Sequence, residues 1–227
     1  AGGESTAATA RSVDFDGTDD YLDCTGTGLA TGTGNFTLEF WFKQTGDGNY
    51  VIDTRSSTSA TDGFALYLTS SGQLQGYVAN ASGFFDGNPS IKAAKGTWNH
   101  AAIVRDAANT MKLYINGTKS GATFTGTQNW TNSRLGIGVE GASLGKFIGG
   151  VSNVRLTIGQ ALYTSSFKPP TEPLTTTSQG ATASNVKVLC CNDSSVTGAT
   201  SGTTAPSSNG NPTASTDSPF DDPAAFT

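Results

Sequence analysis

Two groups of residues in this sequence could do chemistry. One is a knot of carboxylates near the start, and the other is a set of aromatic rings placed among Asn and Asp. The stretch "DFDGTDDYLD" holds Asp14, Asp16, Asp19, Asp20 and Asp23. Calcium takes about six to eight oxygen ligands from carboxylates and carbonyls, so Asp16, Asp19 and Asp20 are candidate ligands. The competing use is an Asp-Gly turn between two strands. The stretches "ANASGFFDGN" (79–88) and "TGTQNWTNS" (125–133) read as loops carrying rings beside amides and acids. They make Phe84, Phe85, Asp86, Asn129 and Trp130 candidate glycan contacts. Trp41, Tyr67 and Tyr77 are further rings on which a sugar could stack. Edge-strand packing, or contact with another subunit, would use the same residues.

Catalytic groups are sparse. His100 is the only histidine, and no GxSxG accompanies it. A nucleophilic triad therefore lacks its parts, and His100 reads as a structural residue after Trp98. A glycoside hydrolase needs two acids about 5–10 Å apart. The four glutamates are Glu4, Glu39, Glu140 and Glu172, and none is followed two residues later by an acid. The chain reads as a non-enzyme. Its three cysteines have no CxxC or Cys/His spacing, which disfavours zinc. Cys190 shares a strand face with Val186 and Val188 and reads as core. Cys191 should point the other way, and Cys24 is expected on a neighbouring strand.

The elements that must position these residues are strands. The chain has 227 residues, only 14% of them charged, with 29 glycines and a net charge of −5. No cationic cluster is present to neutralise phosphates, which argues against nucleic acid. No apolar run reaches the roughly eighteen residues of a membrane helix. The opening "AGGESTAATA" has no Met and no signal pattern; it fits Met removal, maturation or a cut from a longer protein. Period-two alternation dominates. "FTLEFWFK" sets Phe36, Leu38, Phe40 and Phe42 on one face, and Thr37, Glu39, Trp41 and Lys43 on the other. "TWNHAAIVR" and "MKLYING" continue the pattern, with Asn116-Gly117 as a hairpin turn. Further strands are expected at 11–15, 20–24, 49–54, 63–69, 73–79, 133–139, 146–158 and 186–191. The fold class is all-β, an antiparallel jelly-roll sandwich. Residues 1–10 form a leading segment and 11–158 the sandwich. Residues 159–195 hold a proline strap, a spacer and a closing strand, and 196–227 form an arm. The strap "ALYTSSFKPPTEPL" carries Tyr163, Phe167, Pro169 and Pro170. Proline cannot join a sheet interior, so the strap should cross the surface, pinned by its two rings. The polar arm has two readings. It is disordered, or it is an extended arm anchored by Phe220 and Phe226 on its own domain or on a neighbour.

Several segments together resemble the laminin-G-like, concanavalin A-like domains: "VDFDGTDDYLDC", "NFTLEFWFK", "TWNHAAIVRD", "MKLYINGTKSG", "LGIG" and "FIGGVSNVRLTIGQALYTSSFKPPTEPL". The resemblance spans roughly residues 11–190. The strap and the "NDSS…NGNP…SPF" ending are similar to a branch found in structural proteins of tailed, especially marine, bacteriophages. That resemblance implies a non-enzymatic virion component on a capsid, tail or fibre, made in the host cytoplasm and displayed on the particle surface. It would serve surface display or adhesion to host glycans. It also implies other virion proteins as partners and a homo-oligomer, by analogy a trimer. The alternatives are a secreted or cell-surface carbohydrate-binding module, and a degenerate glycan-active enzyme. Many laminin-G-like domains bind calcium at a sandwich rim, several of them through aspartates of a strand near the C-terminus. Ser152 and Asn153 stand at the matching positions here, so any calcium at Asp16, Asp19 or Asp20 should be weak.

Overall fold

The computed structural model describes residues 11–79, 84–86, 91–107, 109–141 and 143–220, with 84–86 described at the backbone only. Residues 1–10, Phe226 and most of the 79–88 loop lie outside this set. Among the described residues the strands are β1 (Ser12–Asp16), β2 (Tyr21–Thr25), β3 (Phe36–Gln44), β4 (Tyr50–Asp53), β5 (Phe64–Leu68), β6 (Leu74–Val78), β7 (Phe84–Asp86) and β8 (Asn99–Arg105). They continue with β9 (Thr110–Ile115), β10 (Thr118–Thr125), β11 (Arg134–Ile137), β12 (Ile148–Ile158), β13 (Val186–Cys190), β14 (Ser207–Asn209) and β15 (Thr213–Ser215). They form two antiparallel sheets. The first runs β10-β9-β8-β3-β12-β1-β15, with β13 also paired to β12. The second runs β14-β2-β11-β4-β5-β6-β7.

The alternation in "FTLEFWFK" places the core. Phe36, Leu38, Phe40 and Phe42 are fully buried between the sheets, against Leu22, Ile52, Phe64, Leu66 and Leu135. Phe36 stacks across the sandwich on Phe64 at 5.1 Å. Trp130 closes one end of this layer, 5.2 Å from Phe64, with the Arg105 guanidinium 5.1 Å from its centroid. The Asn116-Gly117 turn joins β9 to β10 as expected, with both residues at positive φ. The sequence reading had not separated β7, β10, β14 and β15 as strands.

The thiols differ from expectation. Cys24 sits on β2 of the second sheet and meets Cys190 on β13 of the first, so the two face each other across the core rather than along one sheet. Cys191 leaves the strand at φ +58° and is buried too, with its Sγ 3.8 Å from that of Cys190. The left-handed residue cancels the alternation that would have sent it outward. The contact with Cys191 and burial push the Cys190 thiol well above its ordinary range.

The arm is ordered through Phe220, and the surface it lies on belongs to its own domain. β14 adds to β2 as an outer strand of the second sheet, and β15 adds to β1 as an outer strand of the first. Asp217 pairs with Lys43, accepts from Trp98 Nε1 at 3.0 Å, and receives the Ser12 hydroxyl on its carbonyl. Phe220 packs edge-on against Trp41 at 5.7 Å. Of the readings open to the arm, the structure has an extended arm laid on its own domain. Its short strands satisfy their backbone groups on two sheet edges that the sandwich itself leaves open.

Deleting residues 204–227 should therefore leave the sandwich folded but lower its Tm by roughly 5–10 °C, since a chain of this size loses about 2–4 °C per kcal/mol. It should also promote self-association through the bared β1 and β2 edges. A truncated chain with unchanged melting and unchanged elution on gel filtration would contradict this role.

Candidate functional site

A β-sandwich has two outer faces, and this chain treats them oppositely. On the first sheet, β3 presents Thr37, Glu39 and Trp41 outward, and β8 presents His100 beside Trp41 in register. The Glu39 carboxylate is fully buried. Its Oε1 accepts from Arg155 Nε at 3.0 Å. Its Oε2 meets His100 Nε2 at 3.3 Å and accepts from the Tyr163 hydroxyl at 2.7 Å. Burial alone would raise the carboxyl, but His100 and the Arg155 charge outweigh it and hold Glu39 below the usual range. Burial and the Glu39 charge push the Tyr163 phenol far upward.

The strap seals this group. Tyr163 and Phe167 stack at 3.7 Å, and Phe167 lies edge-on over His100 at 5.7 Å and Tyr114 at 5.4 Å. Phe167 N donates to the Gly117 carbonyl at 2.9 Å. A Cβ on Gly117 would fall 1.8 Å from the Phe167 oxygen, so the hairpin glycine is also what lets the strap in. Arg155 Nη1 donates to the Thr175 and Ser178 carbonyls, tying down the segment that follows. Asn153 has work of the same kind, while the Ser152 hydroxyl donates to the Arg11 carbonyl. Asn153 stands at φ +50° in a bulge of β12, and its Oδ1 accepts from Leu174 N at 2.9 Å. Tyr163 and Phe167 hold the strap against His100, Tyr114 and Glu39. Pro170 is buried, while Pro169 packs near Gly117.

The outer face of the second sheet carries half-buried side chains among the described residues. Register aligns Tyr50 on β4 with Tyr67 on β5 and Gln75 on β6, and places Asp86 of β7 opposite Gln75. Ala65 aligns with Tyr77, and Tyr77 with Phe84. Tyr50, Tyr67, Gln75 and Tyr77 are half-buried. Tyr50 and Tyr67 meet edge to face at 5.1 Å. Beneath them, Arg55 lies 4.6 Å from the Tyr77 centroid and 5.6 Å from that of Tyr50. The guanidinium is fixed by Asp53, at 3.0 Å from Nε to Oδ1 and 2.6 Å from Nη2 to Oδ2. Asp53 also accepts from Gly141 N at 2.8 Å. Glu140 stands 3.5 Å from Arg55 and flanks Tyr50. Burial and the Glu140 charge push the Tyr50 phenol up to about 12. Leu144, which bridges back to Glu140 in the adjoining turn, is 57% exposed.

Of the glycan candidates, Trp130 is corrected. Only 3% of it is exposed, and its ring fills the core between Phe36, Phe64 and Arg105, leaving no face for a sugar. Asn129 beside it is exposed. The side chains of Phe84, Phe85 and Asp86 lie outside the described residues. Tyr67 and Tyr77 were legible as rings on alternating strands. Tyr50, Arg55 and Glu140 were missed, because each comes from a strand end or turn where alternation carries no signal.

The carboxylates of Asp16, Asp19 and Asp20 do converge, with ligand atoms within 4.8 Å of one another. They already serve the arm and the turn. Asp20 accepts from Asp16 N at 3.0 Å and from Asn211 N at 2.7 Å, and Asp16 accepts from Thr18 N at 2.7 Å. The Thr18 bond and others like it hold the Asp16 carboxyl below its usual value.

With this geometry in view, comparison with known proteins decides the family. A laminin G-type family profile, described as the concanavalin A-like lectin/glucanases superfamily, matches residues 16–158. This chain belongs to that superfamily. No curated protein sequence matches it. Among solved structures, this superfamily member is similar to the heptameric SAP-like pentraxin of Limulus polyphemus, at 20% identity and a TM-score of 0.55, over 79% of this chain and 84% of that one. It is also similar to a putative carbohydrate-binding protein of Bacteroides ovatus, at 14% identity and a TM-score of 0.58, over 91% of this chain and 60% of the other. A third is the CBM40 of a Ruminococcus gnavus IT-sialidase bound to α2,3 sialyllactose, at 15% identity and a TM-score of 0.51, over 67% and 91%. At these identities the likeness establishes the concanavalin A-like fold.

The sealed carboxylate makes a testable stability prediction. Glu39 is held low in the folded state, so its contribution is present above the unfolded carboxylate range and is lost as pH falls through the folded value. Acid should destabilise the wild type through this group. Glu39→Gln leaves Arg155 buried without its counter-charge and should cost about 3–5 kcal/mol. Urea unfolding at stepped pH should show the variant far weaker at neutral pH and with a flatter acid limb. Equal stabilities at neutral pH would refute the assignment.

Proposed function

We propose that this chain is a non-catalytic carbohydrate-binding module that presents the outer face of its second sheet to a glycan. The observation that carries this reading is the contrast between the faces. The first is covered by the chain's own strap and arm, while the second offers Tyr50, Tyr67 and Tyr77 half-exposed and braced by Arg55. Rings held this way offer flat apolar area at little cost in side-chain entropy, with a polar edge left for hydrogen bonds. The C–H faces of a sugar fit the rings, and its hydroxyls fit Gln75 and Glu140. The similarity to the putative carbohydrate-binding protein of Bacteroides ovatus and to the sialyllactose-bound Ruminococcus gnavus CBM40 supports the same reading.

The non-enzymatic part rests on the acids. Glu39 is enclosed by Arg155, His100 and Tyr163, with no route for substrate. Glu140 is engaged with the Arg55 guanidinium, which Asp53 also holds. A sialidase structure among the similar folds keeps the enzymatic alternative concrete; it matches 68% of this chain and 26% of its own.

The setting suggested by the resemblance is the surface of a tailed-phage particle, with the chain as a homo-oligomeric decoration, tail or fibre component. The "NGNP" and "SPF" segments that suggested it dock the arm on its own domain. Mass spectrometry of purified particles tests this setting directly, and absence of the chain would remove it.

The test of binding is a glycan array followed by titration of the best ligand. Tyr67→Ala with Tyr77→Ala should weaken binding by at least about tenfold, some 1.4 kcal/mol, with little change in Tm. Asn129→Ala should leave binding unchanged. Chelator should alter affinity little, because calcium at Asp16, Asp19 and Asp20 is weak in this proposal. No free sugar should be released. Unchanged affinity in the double tyrosine variant would overturn the reading.

A further inference from the structure

The arm's turn carries a chemical weak point. Asn209 ends β14 and Gly210 follows it at φ +72° in the link to β15. Gly210 is exposed and Asn209 half-buried. Among the described residues neither the Asn209 carboxamide nor the Gly210 amide makes a side-chain or turn hydrogen bond. The other Asn-Gly pair is fastened. Asn116 Oδ1 accepts from His100 N at 2.9 Å, and its Nδ2 donates to Asn99 at 3.0 Å. Its glycine lies under the Phe167 carbonyl.

We propose that Asn209 is a site of spontaneous deamidation that loosens the C-terminal arm as the protein ages. Glycine has no Cβ to obstruct the approach of its own amide. The Gly210 nitrogen attacks the Asn209 Cγ. The new N–C bond forms, the Cγ–Nδ2 bond breaks, and ammonia leaves with the displaced proton. Water then opens the cyclic imide at either carbonyl, leaving aspartate or isoaspartate. No other reactant is required.

The consequence follows from where the turn sits. Gly210 rests on Asp19 and Asp20; a Cβ there would lie 2.5 Å from Asp20 Oδ1. Asn211 N donates to that same oxygen. A carboxylate at position 209 adds a negative charge to a turn that rests on Asp19 and Asp20, and like charges repel. Isoaspartate also lengthens the backbone by one methylene, which shifts β15 relative to β14. Either product weakens the link that holds the arm across both sheet edges.

The experiment ages the full chain, folded, in mildly alkaline buffer, and maps its peptides for aspartate and isoaspartate at 209 and 116. An unfolded sample in denaturant gives the intrinsic rates. The native chain should convert Asn209 several-fold faster than Asn116, while the two convert alike when unfolded. Asn209→Asp should render residues 204–220 protease-sensitive without ageing, and Asn209→Ala should keep the arm resistant throughout. The proposal falls if native Asn209 is as protected as Asn116. It also falls if the arm of Asn209→Asp resists protease as well as the wild type.

Discussion

One buried carboxylate organises this molecule. Glu39 sits on the outer side of β3, where an ordinary sandwich would be wet, and it is fully buried. An isolated ion in that position would be prohibitively unfavourable, so it must be surrounded by donors. Arg155 and His100 supply two, from the strands on either side. The third comes from Tyr163 on the strap, more than a hundred residues away in sequence. The strap is therefore required for the charge to be tolerable, and the charge gives the strap a fixed place to land. Pairing of this kind adds specificity more than net stability. Here that specificity lies in where the strap crosses and how it turns toward β13.

The closed first face determines what the second can be. The strap covers β3 and β8, while the arm extends the first sheet beside β1 and sets Phe220 against Trp41 of β3. Among the described residues, the tyrosines on β4, β5 and β6 form a half-exposed aromatic stripe on the second sheet. Arg55 beneath them is neutralised by Asp53 and Glu140, so it stiffens the rings rather than attracting an anion. A face of that character suits a neutral, hydroxyl-rich ligand.

Strand identity was legible where alternation is strict. "FTLEFWFK" predicted both the core phenylalanines and the outward placement of Glu39. The strap's rings were legible as anchors, because proline excludes that stretch from a sheet. Trp130 was misread. A ring among polar residues looks like a sugar platform, but the chain bridges at Gly32 and Trp130 and turns the indole inward. The partnership of Glu39 with Arg155 was invisible, since it joins residues with no sequence relation and depends on sheet order. The arm was illegible for a related reason. Three-residue strands carry too little pattern to register, and their stability comes from edges supplied elsewhere. Cys191 shows the limit of periodicity itself, because one left-handed residue reverses the expected side.

The claim that the second sheet is the ligand face is tested most directly by hydrogen exchange of the whole chain, free and saturated with its best glycan. Added protection should concentrate in β4, β5, β6 and the turn at 140–145, with the strap and the 125–133 loop unchanged. Protection confined to the strap or to that loop, with β4 to β6 exchanging as in the free protein, would contradict the account.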